Sequence, residues 1–351
     1  MNVPYSRPLL LAAFSVLFAL PSCKGRDDTA ETGDTGSEVP PLYFVYGVHL
    51  HVSDPFLPYT DPSMGRLDGA VAANMLDVVQ EIRNSADAVG LKVTWEVTQS
   101  SAKGLCELGG AGHVLGALVA DGHEVGVHGH RLDHVAPTFA ELQVSCGITA
   151  NTNSGYVAML GSMAAPTDVA LDLLLKDQLA LGMTVGTANF SPHEGNPLQN
   201  VCGDDIGLDD PPWEQTHNLL FPYKPDHLSG DLCAHSDDAL VVIVDHTNPD
   251  WMLVDGGAPP DVLGPTEFGV LQEWFDAAIA YQESARPERL AAWGFVTHIT
   301  EYAVGGDGEH GTDPAGIAAL DAFLAHVDEQ AQQGRVAYAT ASEIAALAWP
   351  E

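Results

Sequence analysis

Imidazole and carboxylate side chains occur at the ends of four apolar runs in the sequence. These residues are His49, His51, Asp54, His128, His130, His134, Asp245, His246 and His298. Neutral imidazoles together with a carboxylate bind Zn²⁺ or a similar divalent cation and leave a position open for water. Such a set predicts metal-assisted hydrolysis, in which the cation polarises a carbonyl group and lowers the pKa of its bound water. A single histidine at a strand end is commonly structural, so this prediction depends on the four sites converging.

The elements that must position these side chains follow an alternating pattern. Amphipathic stretches at 68–89, 166–181, 266–285 and 314–333 predict helices. The apolar runs that predict β-strands are 43–51, 91–98, 124–128, 183–187, 239–245, 290–298 and 335–340. This alternation predicts a single-domain α/β fold with a parallel sheet, either a barrel or an open doubly wound sheet. In both architectures the functional site forms at the carboxyl ends of the strands.

Residues 1–22 predict an export signal. Arg7 supplies a positive charge, and residues 9–20 form an apolar run about half as long as a membrane-spanning helix requires. The run ends in Leu20-Pro21-Ser22-Cys23, which resembles the bacterial lipobox, whose cysteine is acylated and begins the mature chain. An ordinary secretory signal cleaved nearby is the alternative. The residue after the cysteine is Lys24, a pattern that resembles that of bacterial lipoproteins transported to the outer membrane.

Residues 23–41 predict a flexible acidic tether. Their only large apolar side chain is Val39, so they cannot bury enough surface to offset the entropy lost on ordering. The folded domain is then expected over residues 42–351. We expect a lipid-anchored protein of the cell envelope, at the outer membrane or the extracellular face, attached to the membrane only through lipid on Cys23.

The net charge argues against some classes of binding partner, and the number of cysteines indicates the compartment. The chain has 13 Lys and Arg against 48 Asp and Glu, a formal net charge of −35. Binding to nucleic acid is therefore not expected, because phosphate neutralisation needs basic side chains, and attraction to anionic lipid is equally disfavoured. Without Cys23 four cysteines remain, an even number that suits an oxidising compartment. Of the three possible pairings we expect the sequence-local one, which joins Cys106 to Cys146 and Cys202 to Cys233.

One segment closely resembles a known enzyme family. Gly122-His123-Glu124-Val125-Gly126-Val127-His128 is similar to the stretch that carries a metal-binding histidine in the polysaccharide deacetylases, carbohydrate esterase family four. The segments at 294–298 and 334–344 are similar to later motifs of that family, and the resemblance spans residues 43–348. It implies a distorted (β/α)₇ barrel, a monomer and a metal-dependent hydrolase that cleaves a C–N amide bond in a cell-envelope glycan or related small substrate.

The resemblance also implies roles for particular residues. Asp54, His128 and His134 become the metal ligands, with His130 and His134 as an alternative histidine pair. His51 becomes the base that takes a proton from water, and His298 becomes the acid that protonates the leaving amine. Histidine suits both roles because its ordinary pKa, about 6.5, lies near neutral pH.

The sequence departs from the family at three places. The family's two adjacent aspartates are replaced by His49, His51 and Asp54, and the second metal histidine is expected at position 132, which is Leu132. The arginine of a third motif has no counterpart near Ala165-Pro166. The chain is thus expected to be a divergent member of the glycoside hydrolase/deacetylase superfamily, and its substrate need not be an N-acetylated glycan.

Two other functions remain open at this point. His49-Leu50-His51 matches the H-x-H pattern of amidohydrolase and PHP-type barrels, which bind two or three metal ions. Alternatively, the missing aspartate pair and arginine suit a non-catalytic surface lipoprotein that binds glycan or metal.

Overall fold

The structure is a computed structural model of the chain. It describes residues 39–50, 69–129, 132–154, 175–188, 220–226, 228, 231–246, 263–285, 290–304 and 311–350. The export signal, most of the tether, and the predicted site residues His51, Asp54 and His130 lie outside the described residues.

Parallel strands make up the main sheet. They are β1 (Leu42–Leu50), β2 (Val93–Val97), β3 (Glu124–His128), β4 (Thr152–Ser154), β5 (Val185–Ala188), β8 (Val242–Asp245), β9 (Ala292–His298) and β10 (Val336–Tyr338). A separate antiparallel pair consists of β6 (Pro225–Asp226) and β7 (Asp231–His235). Each of the seven predicted runs contains or overlaps a strand of the main sheet.

Helices cover the outside of the sheet and one of its ends. They are α1 (Gly69–Ala88), α2 (Gln99–Gly109), α3 (Val114–Ala120), α4 (Leu132–Glu141), α5 (Pro265–Ala285), α6 (Pro314–Gln332) and α7 (Ala341–Ala348). The predicted helices at 68–89, 266–285 and 314–333 correspond to α1, α5 and α6, and of the one at 166–181 the described residues 175–180 are helical. Among the described residues, no helix has the length and apolar character needed to cross a membrane.

Seven strands curl into an incomplete barrel in the order β9-β1-β2-β3-β4-β5-β8. β10 pairs only with the first residues of β1. The segment 220–223 bridges β8 and β9, because the Ala292 N–H donates to Leu220 O at 2.7 Å and the Ile243 N–H donates to Tyr223 O at 2.8 Å. The prediction of a single-domain α/β fold with a distorted barrel is confirmed.

The two faces of each barrel strand have different partners. On β1 the outward face carries Phe44, whose ring lies 5.5 Å from that of Phe275 on α5 and 6.2 Å from that of Phe323 on α6. The inward face carries Val45, which packs in a second apolar cluster with Ile344 of α7. Since side chains alternate along a strand, His49 shares the inward face with Val45.

Helix α7 closes the amino end of the barrel. Glu124, the first residue of β3, accepts hydrogen bonds from the backbone N–H and the hydroxyl of Ser342 at the start of α7. Thr94 on β2 donates to the same carboxylate at 3.1 Å and accepts from the Ala341 N–H at 3.2 Å. The carboxyl ends of the strands are therefore the end at which the barrel opens.

One strand and three helices lie beyond the sequence expectation, and one expected disulfide is present. β4 is absent from the sequence expectation because Thr152-Asn153-Ser154 contains no apolar residue, although all three residues are buried between β3, β5 and the helical residue Gln178. Helices α2, α3 and α4 were also not predicted. Cys106 and Cys146 form the predicted disulfide, which ties α2 to the turn after α4. Cys202, the predicted partner of Cys233, lies outside the described residues.

Candidate metal centre

Each of the seven barrel strands carries a polar residue at or next to its carboxyl end. These residues are His49, Glu96, His128, Ser154, Thr187, Asp245 and His298. The register places His49 opposite Glu96 on one side and opposite His298 on the other, and it pairs His128 with Ser154. Strand ends that lie far apart in the sequence therefore meet at one mouth of the barrel.

Three of these side chains bring metal-ligand atoms together. One nitrogen each of His49 and His128 and one carboxylate oxygen of Glu96 all lie within 4.8 Å of one another. His49 Nε2 is 2.9 Å from Glu96 Oε2, and the rings of His49 and His128 have centroids 3.8 Å apart. All three residues are buried. In the part of the chain that the structure describes, no other group of three His, Cys, Asp or Glu side chains has this geometry.

Glu96 is an acidic side chain on the inward face of β2, which it shares with Thr94. Burial raises the pKa of its carboxyl to about 8, although hydrogen bonds from Thr187 and Ser154 oppose that rise. Thr187 Oγ1 donates to Glu96 Oε1, which fixes the orientation of the carboxyl group. A buried carboxylate is costly in its charged form unless it lies beside a cation. The position of Glu96 therefore suits a group that binds a proton or a metal ion.

Ser154 orients the imidazole of His128. Their Oγ and Nδ1 atoms are 2.6 Å apart. Where the single Ser154 hydroxyl proton is donated to Val127 O, at 3.4 Å, or to Glu96, the Ser154 oxygen accepts from His128 Nδ1–H. That tautomer leaves His128 Nε2 without a proton, which is the form that binds a metal ion.

His298 and Glu301 lie on the other side of His49. His49 Nδ1 is 3.3 Å from His298 Nε2, and His298 Nδ1 is 2.6 Å from Glu301 Oε1. Glu301 belongs to a short 3₁₀ turn, Ile299–Tyr302, that directly follows β9. A continuous line of polar contacts thus runs from Glu301 through His298 and His49 to Glu96.

His246 adds a neutral imidazole to the same mouth. It follows β8 directly and is buried, with its ring centroid 5.9 Å from that of His49 and nearly perpendicular to it. Burial, together with the nearby charge of His298, lowers the pKa of His246 to about 3. His246 therefore stays uncharged in the neutral pH range.

The structure brings together some of the predicted site residues. His128 and His298 both lie within the cluster around His49, as the prediction of converging strand ends requires. His134 lies on α4 and is not one of the three converging ligands. His51 and Asp54 lie outside the described residues, so their predicted roles as base and ligand stay predictions.

Glu96 and Glu301 are the site residues that the sequence interpretation missed. A signal for Glu96 is present in Val93-Thr94-Trp95-Glu96-Val97, where a lone acidic residue alternates with apolar residues that face outward. Glu301 has no such signal, because its relation to His298 depends on the turn that follows β9.

The residues present fit a divalent metal ion. Two imidazoles and one carboxylate, buried and converging, are the donor set used by catalytic zinc sites that keep one position open. At least one of the imidazoles has its tautomer fixed by a neighbour in the way that metal-ligating histidines require.

Comparisons with known proteins agree with the barrel. No protein-family model matches the chain, and no curated protein sequence matches it. A solved structure from Mycobacterium smegmatis, assigned as a polysaccharide deacetylase, is 15% identical with a TM-score of 0.54 and covers 89% of this chain and 91% of its own. The chain has the deacetylase-like fold.

Two further solved structures show the range of proteins that share this fold. The allantoinase PuuE is 12% identical with a TM-score of 0.52 and covers 90% of this chain and 93% of its own. A protein from Parabacteroides distasonis, assigned as a glycoside hydrolase or deacetylase, is 12% identical with a TM-score of 0.53 and covers 89% of this chain and 73% of its own. At these identities the likeness concerns the fold, and the chemistry has to be argued from the site.

Proposed function

We propose that this protein is a metal-dependent hydrolase that cleaves a C–N amide bond in a deacetylase-like reaction. The observation that carries the proposal is the buried convergence of His49, Glu96 and His128 at the carboxyl ends of the barrel strands. The fold shared with deacetylases and with an allantoinase agrees with it.

In this proposal His49, Glu96 and His128 hold the metal ion. His49 and Glu96 take the places that the sequence resemblance gave to His134 and Asp54. A bound divalent cation such as Zn²⁺ supplies polarisation of the substrate carbonyl and acidification of a water molecule. Thr187 and Ser154 hold the Glu96 carboxyl and the His128 ring in place, so that little reorganisation accompanies catalysis.

The remaining groups at the mouth can contact the substrate or move protons. His246 offers an uncharged imidazole that can donate or accept a hydrogen bond at neutral pH. His51, which follows β1 by one residue, stays the predicted base that receives a proton from water. His298, which lies behind His49, stays the predicted acid for the leaving amine.

The proposed substrate is an acetylated glycan of the cell envelope or a small amide. The net charge of −35 disfavours strongly anionic substrates, because long-range repulsion lowers their concentration near the molecule. A neutral or cationic amino sugar meets this condition, and so does a small uncharged amide.

Metal content provides the direct test of the ligand set. We expect the purified protein to retain about one zinc ion per chain after dialysis, and His128→Ala to retain almost none. His326→Ala is the matched control, because the partly exposed ring of His326 lies on the outer helix α6 beside Asp276. Retention of stoichiometric zinc by His128→Ala, measured by elemental analysis, would refute the ligand assignment.

Activity separates the catalytic proposal from its alternatives. The zinc-loaded protein should release acetate from N-acetylated chitooligosaccharides or open allantoin, and His128→Ala should lower kcat/KM by about 10³-fold or more. Glycan binding without turnover would favour a non-catalytic lipoprotein. Two or three metal ions per chain would favour the H-x-H type of site with His49 and His51.

A further inference from the structure

A second buried carboxylate lies behind the proposed metal centre. Glu301 is 3% exposed, and its Oε1 is 2.6 Å from His298 Nδ1. His298 Nε2 is in turn 3.3 Å from His49 Nδ1, on the side of the His49 ring that faces away from Glu96. Each ring in this line presents one nitrogen toward Glu301 and the other toward Glu96.

The protons along this line are determined once His49 binds a metal ion. His49 Nε2 can be a ligand only without a proton, so the proton of the neutral ring lies on Nδ1 and needs an acceptor. His298 Nε2 can accept it only when the proton of His298 lies on Nδ1. Glu301 Oε1 lies beside His298 Nδ1 and accepts a hydrogen bond from its N–H, since a carboxylate has no proton of its own to donate.

The backbone that carries His298 and Glu301 is itself fixed by buried hydroxyl groups. Tyr46 Oη lies 3.0 Å from Thr297 Oγ1 and 3.0 Å from Tyr302 Oη. Thr297 precedes His298 and Tyr302 follows Glu301, so the contacts clamp the turn at both ends. Groups held in this way lose little freedom when they orient a ligand.

We propose that Glu301 and His298 are positioning residues that hold His49 in the Nδ1–H tautomer and so keep its Nε2 available to the metal ion. This inference rests on the proposed function. It gives His298 a role other than the predicted general acid, because an Nε2 that accepts from His49 carries no proton for a leaving group. The two roles make different predictions for metal affinity.

Glu301→Gln is the first test. The amide keeps the shape of the carboxyl but can present its NH₂ group to His298 Nδ1, which allows the opposite tautomer. We expect the zinc affinity, measured by competition with a chromophoric chelator, to fall by about 10- to 100-fold. The His49 Nδ1–H signal in ¹⁵N-detected histidine spectra of the zinc-loaded protein should weaken in parallel.

Glu124→Gln is the matched control, because it also neutralises a partly buried, hydrogen-bonded carboxyl but at the opposite end of β3 from His128. This control variant should bind zinc as tightly as the wild-type protein, even where its stability is lower. An equal loss of affinity in both variants would contradict the positioning role.

A pair of substitutions at His298 distinguishes positioning from acid catalysis. The side-chain oxygen of His298→Gln reaches about as far as Nε2 and can still accept from His49, so zinc affinity should stay within a few-fold of wild type, while His298→Ala should lose it. A general acid would instead leave affinity unchanged in both variants and lower kcat in both. That second result would overturn the proposal.

The failure of this inference differs from the failure of the proposed function. Absence of zinc from the wild-type protein would remove the proposed function itself. Zinc that is lost in His128→Ala but bound with wild-type affinity by Glu301→Gln and His298→Ala would leave the metal centre intact and overturn the positioning role alone. Near-ultraviolet circular dichroism identifies any variant that fails to fold. If Glu301→Gln is such a variant, the zinc affinities of His298→Gln and His298→Ala decide whether the positioning role holds.

Discussion

Individual buried histidines in this protein are held neutral by different neighbours. His246 is neutral because burial beside His298 lowers its pKa to about 3. His123, far along β3 from the proposed centre, accepts from the Val93 N–H through Nδ1 at 3.0 Å. Burial lowers the pKa of His123 despite the attraction of Asp87, whose Oδ1 lies 3.4 Å from Nε2. The neutral ring of His123 thus serves the fold as a hydrogen-bond acceptor.

The lowered pKa of His123 predicts a loss of stability in acid. The unfolded chain has the higher histidine pKa, so it binds the extra proton first, and stability falls as the pH drops through about 6.5 toward the folded value. His123→Asn keeps an acceptor near Nδ1 and cannot become charged. The drop in the free energy of unfolding between pH 7.5 and 5.5 should therefore be smaller in the variant, by at most about 1.4 kcal/mol per pH unit.

Urea unfolding at the two pH values measures this difference. His326→Asn is the control, because its ring lies on the surface of α6. Parallel pH dependence in wild type and His123→Asn would contradict the prediction.

Single secondary-structure elements combine several tasks through strand alternation. The inward face of β3 shows this most clearly. Glu124 holds the start of α7 at the closed end, and His128 belongs to the candidate metal centre at the open end. Between them Gly126 leaves room for Thr152, whose hydroxyl a Cβ at position 126 would overlap. The outward residues Val125 and Val127 pack in the main apolar core.

At the scale of secondary-structure elements, the disulfide between α2 and the turn after α4 is expected to stabilise the fold. It closes a loop with a sequence separation of 40. Removing the crosslink gives the unfolded chain more conformational entropy, which lowers its free energy by about 4 kcal/mol in the chain-entropy model. The double variant Cys106→Ser/Cys146→Ser should lose stability of this order in urea unfolding. Since neither cysteine lies at the barrel mouth, zinc content should be unchanged. Equal midpoints for both proteins would show that the crosslink contributes little.

The whole molecule is dominated by its negative charge. The chain has a formal charge of −35 on 351 residues, so its acidic side chains repel one another in the compact state. Ion pairs such as Arg335 with Glu283 relieve this repulsion only locally and are exposed to solvent. Salt screens the remainder over about 10 Å at 0.1 M.

We therefore expect sodium chloride to stabilise the protein. The Tm should rise between 0.05 and 1 M salt by several degrees, because screening removes self-repulsion from the folded state. Thermal unfolding in sucrose of equal osmolality provides the control for solvent exclusion, which does not depend on charge. A Tm that rises no more in salt than in sucrose would indicate that the acidic groups are too well spread to affect stability.

Local patterns in the sequence predicted a parallel α/β fold. The alternation of apolar runs and amphipathic stretches left a barrel and an open sheet as alternatives, and the family resemblance implied the barrel. The sequence-local pairing of the cysteines included the Cys106–Cys146 disulfide. These features depend on near neighbours in the chain, since period and spacing are properties of short segments. β4 was missed because its three residues are polar and are buried by elements distant in the sequence, including the helical residue Gln178.

The composition of the candidate centre was decided by tertiary structure. The sequence predicted that histidines at strand ends would meet, and His128 and His298 do lie around His49. The alternation in β2 distinguishes Glu96 from its apolar neighbours, but it could not indicate that Glu96 meets His49 and His128, or that Glu301 lies behind His298. Which side chains share a mouth depends on the register between strands about 50 to 250 positions apart, as His49 pairs with both Glu96 and His298. Register is fixed by packing across the whole barrel, so it cannot be predicted from the pattern within one short segment.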